Sequence, residues 1–442
     1  MNDPYLPDSG DPTYRVTHYD LELDYRVASN RLAGRAVLTV VTEQELGRLR
    51  LDLAALRVAK VSVGGRRGVR YVHRGRALQV TLDRPVLAGT TLEVAVQYSG
   101  NPRPVVGRWG EVGWEELTDG VLVAGQPDGA PSWFPCNDRP SGKASYRFTV
   151  TTESAYTVIC NGALTSEQVR GSRTTWVYDA PEPMATYLAT VQVGRYRMLD
   201  TATGPVRQRA AVPTRLLPTF DGDFGRQDEM MTVFQRLFGP YPFGSYTVVV
   251  TDDDLEIPIE AQGLSVFGAN HVDGRRGSER LVAHELAHQW FGNSLTLTRW
   301  DDIWLHEGFA CYAEWLWSQS SGGESADALA RKAVKRLRSL PQDLVVADPG
   351  PDSMFDDRVY KRGALTLHAL RLTIGDGAFF GLLRAWTNEH RHGNVSTPLF
   401  IELAQRHAER SLDGLFRCWL RDRSVPQLPE LPGLPEKSDA KG

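Results

Sequence analysis

Residues 284 to 310 read HELAHQWFGNSLTLTRWDDIWLHEGFA, with two histidines four positions apart, a glutamate between them and a second His-Glu pair downstream. In an α-helix positions i and i+4 stack on one face, so His284 and His288 can present two imidazoles to one ion while Glu285 lies beside them. HExxH is a metal motif by geometry. In a chain with ten histidines, chance yields it in about one such sequence in a hundred, and histidines that hydrogen-bond within a core are the plain alternative. Glu307 removes most of that alternative. It follows His288 after eighteen intervening residues, in the WLHEG start of another helical pattern that would return its carboxylate to the same ion. Two histidines and one glutamate form a catalytic zinc set, because three protein ligands leave the fourth tetrahedral position to water. Zinc lowers the pKa of such a water toward about 7, and Glu285 is then the natural general base, and acid after proton transfer.

These residues need elements to hold them. The first two hundred residues alternate apolar and polar in short runs such as YDLELDYRV, RAVLTVV, LQVTLDRP, TLEVAVQYSG and ASYRFTVTTE, separated by Gly, Pro, Asn and Asp. That pattern predicts half-buried strands. From about Asp223 apolar residues recur at three and four spacing, in FGRQDEMMTVFQRLFG, SERLVAHELAHQWFG, WLHEGFACYAEWLWSQSSGG, ALARKAVKRLRSL, RGALTLHALRLTIG, AFFGLLRAWTNEH and LFIELAQRHAERS. This half reads as helix-rich with a small sheet, of which SYTVVVTDD is the visible strand. The expected division is a β-rich domain over 1–200, a helix-rich domain over 201–425 and a Pro-rich strap and tail over 426–442, where prolines stand at 426, 429, 432 and 435. The fold class is α+β, multidomain.

With 442 residues and a formal charge of −4, the chain fits two or three globular domains and carries no global basic field for nucleic acid. The Arg-rich stretch Gly64 to Val80 reads as a hairpin with solvated arginines, and ARKAVKRLRSL as a solvated helix face. No run approaches membrane-spanning length, and MNDPYLPDSGDPTYRV shows no secretory pattern. Cys136, Cys160, Cys311 and Cys418 lack CxxC spacing and are expected as reduced thiols. A cytoplasmic protein without nucleic-acid or membrane partners is the expectation.

The ordered set YRVTHYDLELDY, WFPCNDRPSGKASYRFTV, PMATYLATVQVG, HELAHQWFGNSL…WLHEGFA and VYKRGALTLHALR resembles the zinc aminopeptidase family of aminopeptidase N and leukotriene hydrolase, over nearly the whole chain. The resemblance implies an antiparallel β-rich saddle domain, then a thermolysin-like catalytic domain, with the active-site groove between them. It implies one zinc per chain on His284, His288 and Glu307, and short peptides with a free N-terminus as substrates. It further implies that Tyr360, in VYKRGA, donates to the oxyanion formed at the scissile carbonyl. Glu260, in IPIEAQGLSVFG, matches the glutamate of the family's GAMEN segment, which binds the substrate's α-amine. Gln126, in GQPDGAPSWFPC, stands where the family commonly keeps a Gln or Glu for the same amine.

Two features depart from the family. The GAMEN segment is here Ile257, Pro258, Ile259, Glu260, Ala261, so its small residues and its asparagine are replaced and Pro258 offers no N–H to a substrate. The second is length: many relatives carry a β-sandwich and a large helical domain after the catalytic domain, so a more open groove is expected here. The altered segment keeps a zinc endopeptidase as an alternative to the aminopeptidase. A leukotriene-hydrolase-like epoxide hydrolase and a non-catalytic peptide-binding scaffold are the remaining readings, and the intact His284, Glu285, His288, Glu307 and Tyr360 weigh against the scaffold.

Overall fold

The computed structural model describes residues 3–202 and 204–429. Period-two alternation gives strands one dry face and one wet face. Along Tyr14–Arg26, for instance, Tyr19, Leu21, Leu23 and Tyr25 are buried while Glu22 and Asp24 are exposed. This strand lies inside an eight-stranded sheet with the order Ala163–Arg170, Arg173–Ala185, Lys143–Glu153, Tyr14–Arg26, Arg31–Thr42, Thr91–Gly100, Arg57–Val63, Arg66–Arg67. Neighbours run antiparallel except for Tyr14–Arg26 against Lys143–Glu153, which are parallel. The two lie more than a hundred residues apart in sequence and no hairpin joins them, so direction is free to differ from an all-antiparallel plan. A five-stranded sheet from Thr157–Cys160 to Val105–Gly107 and a three-stranded sheet built on Ala77–Val86 complete this half.

The Arg-rich stretch does form a hairpin, Tyr71–Arg74 against Ala77–Val86, and Arg70 and Arg74 are exposed. Arg76 is only partly solvated: its Nη1 lies 2.6 Å from buried Asp128 Oδ2. It occupies the turn that faces the 126–138 segment, whose acids attract it.

The main sheet of the second half has five strands where one was visible, in the order Tyr196–Ala202, Arg207–Pro213, Ser245–Val250, Leu264–Phe267, Ile259–Ala261, and a two-residue pair, Thr296–Leu297 with Asn394–Val395, stands apart. The last two strands of the main sheet have four and three residues, too short to show a period. Around this mixed sheet pack α1 (Leu217–Phe224), α2 (Gln227–Phe238), α3 (Glu279–Ala287), α4 (Trp304–Ser320), α5 (Ala326–Arg338), α6 (Asp357–Glu389) and α7 (Thr397–Ala408). Helix α6 breaks at Gly375 (φ 80°, ψ 161°), between the two helical patterns read from sequence. α5 is amphipathic, with Ala330, Ala333, Val334 and Leu337 buried and its basic residues outside.

α4 and α6 cross almost backbone to backbone. A Cβ on Gly308 would stand 2.8 Å from Gly363 Cα, a distance side chains do not tolerate, so glycine at both positions sets the approach. The crossing matters because Glu307 and Tyr360 lie beside it. Most buried apolar residues of both halves belong to one contiguous cluster, and a smaller one that includes Leu122, Ile159, Val249 and Leu264 also draws on both. Of the C-terminal strap, Pro426 O accepts from Arg338 and Leu428 packs on the core, while residues 430–442, with their two prolines, lie outside the described residues.

Candidate active site

α3 carries His284 in its last turn, and His288 caps its C-terminus one turn later. Their rings meet edge to face at 4.8 Å between centroids. Glu307, in the first turn of α4, places Oε2 3.4 Å from His284 Nε2 and 3.5 Å from His288 Nε2. All three side chains are buried, with their donor atoms within 4.8 Å of one another. These separations decide between two uses. A charge-assisted N–H···O bond closes to about 2.7–2.9 Å, whereas tetrahedral zinc with bonds of about 2.0–2.2 Å sets its ligands roughly 3.3–3.5 Å apart. The spacing is that of ligands around an ion.

The tautomers agree. His288 Nδ1 donates to Phe291 O at 3.0 Å, and His284 Nδ1 lies 2.8 Å from Glu314 Oε1. Both Nε2 lone pairs therefore point inward, as metal-binding imidazoles require. Burial alone would lower the His284 pKa, but Glu307 and Glu314 outweigh it and push it up to about 9. Burial likewise opposes, and Glu307 and Glu260 drive, a His288 value of about 10. Burial raises the Glu307 carboxyl, yet His288 and His284 hold it far below the usual carboxylate range. The two imidazoles and the carboxylate thus bind a positive charge strongly, which a divalent cation satisfies better than protons do.

Glu285 is 4% exposed, and its Oε2 has no hydrogen-bond partner among the described residues. Burial lifts its carboxyl to about 7 against the opposing pull of His284 and His288, the range that suits a general base near neutral pH. Glu260 sits on the edge strand Ile259–Ala261, half-buried, with its carboxylate within 4.8 Å of Glu285 and His288 donor atoms. Burial raises its pKa and His288 opposes the rise. Gln126 reaches it from the N-terminal half, donating from Nε2 to Glu260 Oε1 at 2.8 Å. Tyr360, in the first turn of α6, lays its ring nearly parallel to His284, with centroids 6.2 Å apart. Burial, then Glu307 and Glu260, raise its hydroxyl well above the ordinary value, so it remains a donor across neutral pH. All seven residues singled out from sequence therefore meet at one place.

Several supporting residues escaped sequence reading. Glu314 lies seven positions after Glu307 on the same face of α4 and is tied to Arg280 at 2.9 Å and Lys361 at 3.8 Å. The helical spacing was a visible signal for it. Gln289 donates to Ala261 O at 3.1 Å and accepts from Gly263 N at 2.8 Å, and Asn293 also donates to Ala261 O. These bonds fix the Glu260 strand to the metal-side turn. They occupy the Ala261 carbonyl of the altered GAMEN segment, while Ile257, just before Pro258, is 69% exposed.

The N-terminal peptidase M1 domain matches residues 15–188, and the peptidase family M1 domain matches residues 223–419. The chain belongs to peptidase family M1. An M1 zinc metallopeptidase from Deinococcus radiodurans, solved as a mutant bound to a Tyr-Ser-Ala substrate, superposes with a TM-score of 0.89 at 32% identity, covering 97% of this chain and 99% of that one. The leucyl aminopeptidase of Saccharolobus solfataricus is 25% identical over 83% of this chain and 48% of its own length. Rat aminopeptidase B is 24% identical over 82% of this chain and 59% of its own. Against curated M1 relatives such as these the chain spans between 34% and 59% of their length. Its two-domain M1 architecture and the zinc that the family uses agree with the donor set assembled above. Among the described residues no helix is long and apolar enough to cross a membrane.

Proposed function

We propose that the chain is a zinc aminopeptidase that removes the N-terminal residue of short peptides. The observation that carries this reading is the Glu260–Gln126 pair, joined at 2.8 Å and set beside the His284–His288–Glu307 triad. No Lys or Arg among the described residues pairs with Glu260. With Gln126 Nε2 committed to Glu260, its Oε1 and the remaining carboxylate oxygen are acceptors for an ammonium group. An α-amine held there puts the first peptide bond beside the triad. His284, His288 and Glu307 would hold the zinc, which when bound would supply Lewis-acid polarisation of the carbonyl and acidification of a water.

The chain's own residues do the rest. Glu285 accepts the proton of the attacking water and returns it to the leaving amine. Tyr360 donates its O–H to the oxygen that gains charge as the carbonyl becomes tetrahedral, a contact stronger in the transition state than in the ground state. Glu314 and Phe291 O keep both imidazoles in register. We further propose a cytoplasmic location, which four free cysteines, three of them buried, support.

Acetylating the substrate separates this reading from an endopeptidase. A carboxylate–ammonium contact at about 4 Å contributes on the order of 4 kcal/mol at an effective dielectric near 20, before desolvation. Blocking the amine should therefore cut kcat/KM by roughly two to three decades. Glu260→Ala should weaken turnover of the free peptide and barely change the blocked one. Similar kcat/KM for both peptides in the wild type would rule out an aminopeptidase and favour the endopeptidase.

A further inference from the structure

Lys143 begins a strand of the N-terminal half, yet its side chain ends in the other half. Its Nζ lies 3.0 Å from Asn293 O, 2.8 Å from Ser294 O and 3.4 Å from Gly393 O. Three carbonyls match the three N–H groups of an ammonium. Among the described residues no carboxylate pairs with it, and burial presses its pKa down to about 7. The cost of holding a cation away from water is met by those three carbonyls alone.

The segment it grips is the one that aims His288. That histidine lies at the C-cap, so α3 fixes its backbone on one side only. Its ring is set by the turn that follows, where Phe291 O accepts from His288 Nδ1, Asn293 N donates to His288 O at 3.0 Å and Gly292 N donates to Leu295 O at 2.9 Å. The turn is tight: at Gly292 (φ 129°) a Cβ would stand 3.2 Å from His288 Nδ1. A second N-terminal side chain touches the same turn, Tyr187 Oη donating to Gly292 O at 3.3 Å.

We infer that Lys143 is a positioning residue for the metal-binding imidazole of His288, so that the N-terminal domain sets the geometry of a site whose ligands all lie in the catalytic domain. The inference rests on the reading of His284, His288 and Glu307 as zinc ligands. Lys143 acts through the 291–294 turn and touches neither metal nor substrate. Its loss leaves Ser294 O without its side-chain donor and Asn293 O with only the Thr296 hydroxyl at 3.2 Å, Phe291 O drifts from Nδ1, and the imidazole loses its fixed aim.

The test is zinc affinity, measured on zinc-depleted full-length protein by competition with a chromogenic chelator, beside kcat and KM. Lys143→Met should bind zinc about tenfold more weakly, the lower end of what loss of an outer partner costs. Lys143→Arg, which keeps charge and donors, should recover most of it. Circular dichroism of the zinc-free variants checks folding. If Lys143→Met does not fold, Tyr187→Phe replaces it, with a two- to threefold loss expected. Arg108→Ala controls for a generally loosened interface, because Arg108 pairs with Asp352 across the same two domains at 2.7 Å; it should leave zinc affinity unchanged. Wild-type affinity in folded Lys143→Met, or in Tyr187→Phe where that replaces it, overturns the inference. An equal loss in Arg108→Ala does so too. His288→Ala in the same assay separates the two levels: unchanged affinity there would refute the ligand assignment itself.

Discussion

The protein gathers three carboxylates out of full contact with water in two places. In the N-terminal half Asp52, Asp128 and Asp138 are 1%, 5% and 4% exposed, and in the catalytic half Glu285 and Glu307 are 4% and 3% exposed beside half-buried Glu260. The first cluster carries its own cations: Arg76 stands 2.6 Å from Asp128 and 3.9 Å from Asp138, and Arg50 stands 3.0 Å from Asp52. Asp52 also accepts from Gly10 N and Asp138 N, and Asp138 from the Thr186 hydroxyl. In the second cluster neither arginine nor lysine of the described residues touches Glu260, Glu285 or Glu307, and the nearest positive partners are imidazoles. Burying acids is thus no mark of function in itself. Fold-holding acids are answered by resident cations or, at Asp138, by a retained proton, whereas those of the site are arranged for charges that arrive with metal and substrate.

Neutral isosteres break this comparison most sharply at Glu285. Glu285→Gln keeps the shape but cannot accept a proton, so kcat should fall by about a thousandfold while zinc content, measured by atomic absorption, stays at one per chain. Near-full turnover would remove Glu285 from the mechanism. Tyr360→Phe comes next, with kcat lowered roughly a hundredfold and KM little changed, as for one lost oxyanion donor. A loss confined to KM would turn Tyr360 into a substrate-binding residue.

How far sequence carried differs between the two clusters for the same physical reason. His284 and His288 could be picked out because helical periodicity puts positions i and i+4 on one face, Glu285 because it lies between them, Glu307 because WLHEG opens a second helical pattern downstream, and Tyr360, Glu260 and Gln126 because they lie in motifs that resemble a known family. Glu314 obeyed the same periodicity but needed a known partner to give it meaning. Arg76 and Lys143 were beyond reach: each makes its contacts more than fifty positions away, with Asp128 and with Asn293, and nothing local distinguishes them from solvated basic residues. The short strands Ile259–Ala261 and Leu264–Phe267 exist through pairing with neighbours, so their own composition could not announce them.

The smallest effect, and the cleanest contrast, lies at Asp138. Burial, then Asp52, lift its carboxyl to about 8 against the opposing Thr186 bond, with Asp128 adding to the rise and Arg76 resisting it. The unfolded chain has an ordinary aspartate near 3.8, so between these values the folded state holds a proton that the unfolded state has released. A raised folded pKa contributes stability that is complete below the unfolded value and is lost as pH rises through the folded one. Asp138→Asn cannot ionise, keeps an oxygen for the Thr186 hydroxyl and supplies an N–H where the carboxyl proton sat. The variant should match the wild type near pH 4 and exceed it progressively toward pH 9, by on the order of 5 kcal/mol at the alkaline end. Urea unfolding at a series of pH values measures the difference directly, and kcat at neutral pH should not move. An offset that stays constant with pH would mean that Asp138 is ionised throughout, held by Arg76. The two clusters would then differ only in which cation answers them, not in whether the fold tolerates the charge.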